Sequence, residues 1–306
     1  MKIQIPDALK AELPTNLWGK VLHATPVVMT VIATMLAGLS SGEMTRAQYD
    51  RSVATQQQTK AGDQWGFYQA KRLRGSSQAA TLDLLANLAE VHPLDPAAVL
   101  AAAGASADSP GTRAALDLLV AGQLPVLPEA PAPDPKITAA IKFIEHSPSN
   151  EALAAELNDV TDGALATELR EAQGRSAEID ARVAPVEQSI QALETALERN
   201  RAGHPALNRD FAAARIHFSV RRYESEARLN QYIASLYELQ VRKSNLSADR
   251  HIHRSQRFFY GMLAAQVGVI AATFAIAARK RSLLWSLAAA AGVGAVTFAA
   301  YAFLFL

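Results

Sequence analysis

Two histidines, His251 and His253, have the spacing that most resembles a metal-binding pair in this sequence. Such a pair can share a metal ion on a strand or loop, whereas on a helix the two side chains point about 200° apart. Asp249 is the acidic residue beside them, and the chain has no cysteine to complete a ligand set. We therefore predict no metal site at this basic, helix-forming segment.

Motifs for catalysis are also absent from the sequence. It has no phosphate-binding Walker loop, dinucleotide fingerprint, nucleophile elbow or zinc-protease motif, and no pair of Asp and Glu residues typical of acid–base catalysis. The lack of cysteine excludes thiol nucleophiles, disulfides and cysteine-ligated metals. A formal net charge of +1 gives no support to a nucleic-acid partner. We predict that the protein is not an enzyme, uses no cofactor and binds no nucleic acid.

A dense polar and aromatic segment, DQWGFYQAK, occupies residues 63–71. On a helix Gln64, Tyr68 and Lys71 share one face, and buried Trp and Tyr rings need partners for their N–H and O–H groups. We predict a helix-packing contact in which neighbouring acids and amides supply those partners. A binding surface for another protein or a lipid headgroup is the alternative. The predicted interaction residues are Asp63, Gln64, Trp65, Tyr68, Gln69 and Lys71.

Three apolar segments must be placed before any of these residues can be positioned. Each is near the length of about 20 residues that crosses a bilayer as a helix, and lipid leaves the backbone no other way to pair its polar groups. After an N-terminal polar segment (1–21) we predict transmembrane helices at 22–41, 258–278 and 283–306, the last two forming a hairpin within 258–306. The alternative for the first is a signal peptide, but no small-residue cleavage site follows it.

The predicted transmembrane helices contain no Asp, Glu, Lys or Arg, which disfavours a pump or secondary transporter. Gln266 lies in the second of them, and an amide in hydrocarbon is costly unless it is paired. We therefore expect Gln266 to face another helix and form an interhelical hydrogen bond. A pore lumen lined by Gln266 with Thr273 or Thr297 is the alternative.

Basic residues next to these helices bear on topology. Short basic loops prefer the cytoplasm, so we predict a cytoplasmic turn and an extracytoplasmic central domain. Cations at the membrane boundary also face lipid headgroups. The residues with these predicted roles are Arg254, Arg257, Arg279, Lys280 and Arg281.

The region between the first and second apolar segments predicts helices of different lengths. Residues 42–91 lack proline and predict one long helix. Residues 92–161 form a proline-rich insertion. Proline at the first helical position predicts short helices in this insertion, and residues 124–135 are predicted to form a polyproline-type linker or wrap. The short helices are expected at 96–103, 110–121, 136–146 and 150–157.

Residues 162–257 contain two apolar seams with heptad a/d spacing, separated by a break at residues 203–205. This pattern predicts an antiparallel coiled-coil hairpin, with Pro185 expected to kink the first helix or start a new one. Long helices with one seam need partners, and copies of the same chain can supply them. The seam residues are Ile179, Val183, Val186, Ile190, Leu193, Leu197, Leu229, Tyr232, Leu236 and Leu239.

The segment AGDQWGFYQAKR at residues 61–72 resembles the "SDQWAYYQAKS" hallmark of the DUF4337 family, with Gly66, Phe67 and Arg72 departing from it. The chain end is similar to the family layout too, with a basic helix, a span containing Gln266, a basic turn and Leu284-Trp285. The resemblance covers about 20–90 and 210–306 and leaves about 92–170 as an insertion. It implies a bacterial inner-membrane protein with three spans, and it implies no activity.

These observations predict an all-α integral membrane protein with three transmembrane helices and a long coiled-coil domain. We expect a membrane-anchored scaffold that self-associates, with other copies of itself and membrane lipids as its partners. An oligomeric channel or passive pore is the alternative, and a membrane enzyme is the least favoured hypothesis.

Overall fold

A computed structural model describes residues 17–104, 109–129, 131–146, 149–277 and 282–305. All secondary structure in these residues is helical, which confirms the all-α prediction. The helices are α1 (Leu17–Leu88), α2 (Pro96–Ala103), α3 (Pro110–Ala121), α4 (Pro135–Glu145), α5 (Asn150–Leu157), α6 (Asp162–Arg199), α7 (Pro205–Ala277) and α8 (Ser282–Phe305).

Helix α1 contains two of the predicted segments, the first transmembrane helix (22–41) and the long helix that follows it (42–91). It continues through the predicted boundary at residues 41 and 42 and ends at Leu88, whereas the second segment was expected to reach residue 91. Pro26 is tolerated inside this helix, and Thr30 donates a side-chain hydrogen bond of 2.8 Å to the Pro26 carbonyl. Nothing in the sequence between these segments removes helix hydrogen bonds, so one helix results.

Pro185 does not start a new helix, which corrects one of the two predicted effects. Helix α6 runs from Asp162 to Arg199 with Pro185 inside it. Proline removes only one backbone donor, and buried Val183 and Ile190 hold the helix on either side of it. The expected break at residues 203–205 separates α6 from α7, and Pro205 is the first residue of α7.

The chain divides into two compact units. The first comprises the described residues of Met1–Ala54 and Ser244–Leu306. Its core joins Met29 and Leu36 of α1, Phe258 and Ala265 of α7 and Ala295 of α8. Small residues permit this packing: a Cβ at Gly261 would lie 3.1 Å from the Ala295 carbonyl oxygen. Helices α1, α7 and α8 each contain a segment long and apolar enough to cross a membrane.

The second unit comprises Thr55–Lys243. In its core, helices α2 and α3 pack over α6 and α7. The large buried apolar side chains of this core include Leu116, Leu193, Leu197, Phe211 and Phe218. The unit therefore places the predicted seam of α6 under short helices from the proline-rich region.

The starts of the short helices follow from local sequence. Asp95 caps α2 by accepting a hydrogen bond of 2.9 Å from the Ala97 amide, and Ser109 and Thr112 form a capping box at α3. Proline occupies the first position of both helices, where a missing N–H is harmless. These signals explain why the bounds predicted for α2 and α3 agree with the structure.

The extended segment after α3 lies against α6. Arg175 donates to the Pro128 carbonyl at 2.9 Å, and Arg182 donates to the Val126 carbonyl at 3.2 Å. Because guanidinium groups hold its backbone at two points, the segment is a wrap and not a free linker.

Candidate functional site

The DQWGFYQAK segment lies on α1 and contacts α7 within the second unit. Trp65 Nε1 donates a hydrogen bond of 2.8 Å to Glu238 Oε1. The Trp65 and Tyr68 rings meet edge to face, with centroids 5.4 Å apart. The apolar parts of both rings are thus half-buried while the indole N–H reaches a carboxylate, as expected for aromatic residues at a polar helix contact.

Lys71 joins the segment to a network of charges on α6 and α7. It forms an ion pair with Glu226, and its ammonium lies 5.6 Å from the centroid of the Tyr223 ring. Arg222 lies 3.4 Å from the same glutamate and forms a further ion pair with Glu187 of α6. Glu226 therefore connects α7 to α1, and Arg222 extends the network to Glu187 of α6.

A second polar contact joins α6 and α7 around Tyr232. Its hydroxyl donates to Glu168 Oε1 at 2.7 Å, and the Asp134 amide donates to the other oxygen of Glu168 at 3.3 Å. Burial, followed by the hydrogen bond and charge of Glu168, raises the pKa of Tyr232 well above its usual value. Tyr232 was predicted as a seam residue, and the structure gives this seam position a polar partner.

A small cavity of about 400 Å³ lies beside the segment. The Gln64 side-chain oxygen is buried there and accepts no hydrogen bond within the described residues. Among the described residues, no cluster of three or more His, Asp or Glu side chains could hold a metal ion there. The main polar residues that line the cavity are Gln64, Lys71, Gln173, Asp180, Glu226 and Asn230. The arrangement can pair polar groups between helices.

The predicted interaction residues of this segment do not all meet α7. Gln64, Trp65, Tyr68 and Lys71 are half-buried on one side of α1, whereas Asp63 and Gln69 are exposed. We expected Asp63, Gln64 or Gln69 to partner the aromatic rings, and Asp63 and Gln69 do not because they lie off the helix face that turns to α7. Glu238, distant in sequence, supplies the partner instead.

The seam residues are covered within the chain. Ile179, Val183, Ile190, Leu193, Leu197, Leu236 and Leu239 are buried, and Val186, Leu229 and Tyr232 are half-buried. Leu193 and Leu197 pack with Phe211 and Phe218 of α7 and with Leu116 of α3. The seam of α6 is thus covered by helices of the same chain. Within the described residues it leaves no exposed apolar side chain for a second copy to contact.

Gln266 is exposed in the first unit, so no helix of the described chain covers it, and its expected contact with another helix stays a prediction. Within the described residues its amide has no hydrogen-bond partner. The small residues Gly261, Ala265 and Gly268 are the ones that α7 turns to its neighbours, and Gln266 lies outside their face. It shares the outer face with Ile270 and other large apolar residues.

The basic residues near the start of that apolar segment have specific neighbours. The Arg257 guanidinium lies 5.1 Å from the centroid of the Tyr301 ring of α8, and the Nε of Arg254 is buried. Both side chains are thus partly covered within the chain. Their contact with lipid headgroups stays a prediction. Arg279, Lys280 and Arg281 lie outside the described residues.

The two histidines have different surroundings, as a helix requires. His251 Nδ1 lies 2.5 Å from Glu43 and its Nε2 lies 3.9 Å from Asp50, whereas His253 is exposed. Ser40 and Ser255 form mutual hydrogen bonds of 2.8 and 3.0 Å nearby. Sequence reasoning missed these contacts, although the seven-residue spacing of Glu43 and Asp50 places both carboxylates on one face of α1.

Residues 21–110 of the chain match the model of a family described as a domain of unknown function, DUF4337. The match contains the DQWGFYQAK segment and confirms the resemblance to that family. It extends to residue 110 and so includes the first part of the predicted insertion, and the resemblance at 210–306 stays a prediction. No curated protein and no solved structure matches the chain.

The contact between Trp65 and Glu238 is testable by substitution. Trp65→Phe should destabilise the second unit by about 1–3 kcal/mol, because the half-buried carboxylate loses its donor. Thermal and denaturant unfolding followed by circular dichroism would measure the change in the full-length protein in detergent. Phe67→Leu is the control: Phe67 is 55% exposed, so its substitution should change stability by less than about 0.5 kcal/mol.

A double-mutant cycle sharpens this test. In the Trp65→Phe background, Glu238→Gln should cost much less than it costs in the wild type, because the two side chains form one interaction. Equal costs of Glu238→Gln in both backgrounds would contradict the assignment of this contact.

Proposed function

We propose that the protein is a membrane-anchored helical scaffold that self-associates. The apolar segments of α1, α7 and α8 support the membrane anchor, because only 17%, 33% and 17% of them are buried within the chain. Their outer surfaces present Val27, Met35, Ile270, Phe274 and Val293. A contiguous apolar surface of this extent needs lipid or another protein to cover it.

The observation that carries self-association is the outward position of Gln266. An amide in hydrocarbon without a partner costs several kcal/mol. Gln266 carries both a donor and an acceptor, so two copies related by a two-fold axis can exchange hydrogen bonds between their amides. A second copy of the chain thus supplies the helix that Gln266 faces and the partner for its interhelical hydrogen bond.

The second unit supports a scaffold more than a catalyst. Its cores are closed by helices of the same chain, and its polar contacts pair charged groups between helices. Such contacts specify one arrangement of long helices in preference to others. The unit therefore offers a defined helical surface to partners outside the membrane.

An oligomeric channel is the second candidate, and the face that holds Gln266 favours it as well. Thr273 is exposed on that face, one heptad further along α7, although its hydroxyl already donates to the Val269 carbonyl at 2.8 Å. Several copies could line a narrow pore with these groups. Ion flux into liposomes containing the protein separates the two candidates, because the scaffold predicts none.

Self-association at Gln266 can be tested with the cysteine-free chain. Gln266→Cys should form disulfide-linked dimers on oxidation in native membranes, whereas Val293→Cys, on the exposed face of α8, should not. Gln266→Leu should shift the mass distribution in mild detergent towards monomer, because the buried hydrogen bond is lost. Val267→Leu is the matched control, since Val267 is also exposed on α7. Equal cross-linking at both cysteine positions would indicate random collision and overturn the proposal.

We also propose that the protein lies in the bacterial inner membrane with its central domain extracytoplasmic, because short basic turns prefer the cytoplasm. Ser77→Cys should react with an impermeant maleimide in intact spheroplasts, since Ser77 is exposed in the central domain. Ser282→Cys, beside the basic turn, should react only after permeabilisation. The reverse pattern would refute this orientation.

A further inference from the structure

A groove of about 860 Å³ crosses the second unit between α6, α7 and the extended segment that follows α3. Its apolar lining includes Leu124, Leu127 and Leu229. A volume of this size is typical of ligand sites in proteins. The groove contains no residue of the DQWGFYQAK segment, and two of its lining residues, Arg175 and Tyr232, form hydrogen bonds described above.

Basic side chains dominate the charge of this groove. Arg175, Arg221, Arg228 and His217 line it, and Glu224 is its acidic residue. Arg221 and Arg228 are exposed, and they have neither a hydrogen bond nor an ion pair within the described part of the chain. Their charges are therefore available to a ligand, unlike the guanidinium of Arg175, which donates to the Pro128 carbonyl.

The end of the groove at Gly122 and His217 tolerates little change in sequence. Gly122 ends α3 in the left-handed conformation, with φ of 60°, which favours glycine. A Cβ at this position would lie 2.8 Å from the His217 ring. The glycine thus both closes the helix and lets the imidazole lie against the backbone at the groove wall.

The spacing of the cations fits an extended chain. Arg221 and Arg228 are two helical turns apart, which is about 10.5 Å along α7. Three residues of a peptide in the extended polyproline II conformation make one turn and span about 9 Å, so acidic residues at positions i and i+3 lie on the same side and can reach both guanidinium groups. The leucines of the groove are then available to apolar side chains between the acids.

Neighbouring charges limit where such a ligand can bind. Glu168, Glu171 and Glu178 line an adjacent groove, which shares Arg175 and Tyr232 with this one. These carboxylates repel an acidic ligand from the Tyr232 end. The part of the groove that carries the two exposed arginines therefore extends from His217 to Arg228, which leaves room for about six extended residues along α7.

We propose that this groove binds an extended acidic peptide segment of a partner protein, with acidic residues three apart and apolar residues between them. Clusters of arginine are a recurrent way to recognise acidic motifs. Complementary charge also steers the encounter and makes binding sensitive to salt. The proposal does not depend on self-association at Gln266.

The test uses the full-length protein in a non-ionic detergent and a fluorescein-labelled peptide, ELAELAE, followed by anisotropy. The peptide should bind, and its affinity should fall at least tenfold in the double variant Arg221→Gln/Arg228→Gln. The control double variant Arg199→Gln/Arg201→Gln removes the same charge from exposed positions outside the groove, and its affinity should stay within twofold of the wild type. Circular dichroism should show unchanged helicity for both.

Two further arms distinguish the ligand class. The charge-reversed variant Arg221→Glu/Arg228→Glu should lose ELAELAE and gain binding of the lysine peptide KLAKLAK. Inorganic tripolyphosphate tests for a small anion: if it binds while ELAELAE does not, the groove takes small anions and the peptide proposal is overturned. Equal weakening by the two double variants, or no binding of ELAELAE at all, would overturn it as well.

Discussion

The packing of α6 against α7 is the interaction on which the second unit depends. Helices of this length gain little stability from their own hydrogen bonds in water and need an apolar face covered along their length. Leu193 and Leu197 of α6 and Phe211 and Phe218 of α7 provide that face near the turn between the helices. Helices α2 and α3 add Val99, Leu116 and Leu119 to this core, so the proline-rich region completes the core instead of interrupting it.

Polar contacts further along the same helices have a different role. Glu226 between Lys71 and Arg222, and Glu238 under Trp65, each connect α1 to α7. Partly buried ion pairs add little net stability, but a shift of one helical turn would leave their charges unpaired. The contacts of the DQWGFYQAK segment therefore fix the register of α1 against α7.

The sequence predicts local features of this fold well. Proline at the first helical position and Asp95 or Ser109 before it predict the starts of α2 and α3, and heptad spacing identifies the buried residues of α6. It predicts pairing between distant residues poorly: Glu238 lies 173 positions from Trp65, and no local pattern indicates that contact. The same limit explains why Asp63 and Gln69 were placed in the contact.

Gln266 is exposed and its amide has no hydrogen-bond partner within the described residues, and the proposed self-association gives it one. The most direct test is the mass of the wild-type full-length protein in lipid nanodiscs, measured by native mass spectrometry or mass photometry. The account predicts two or more copies of the 32.8 kDa chain in each particle. Particles that contain a single copy at all protein-to-lipid ratios would contradict it.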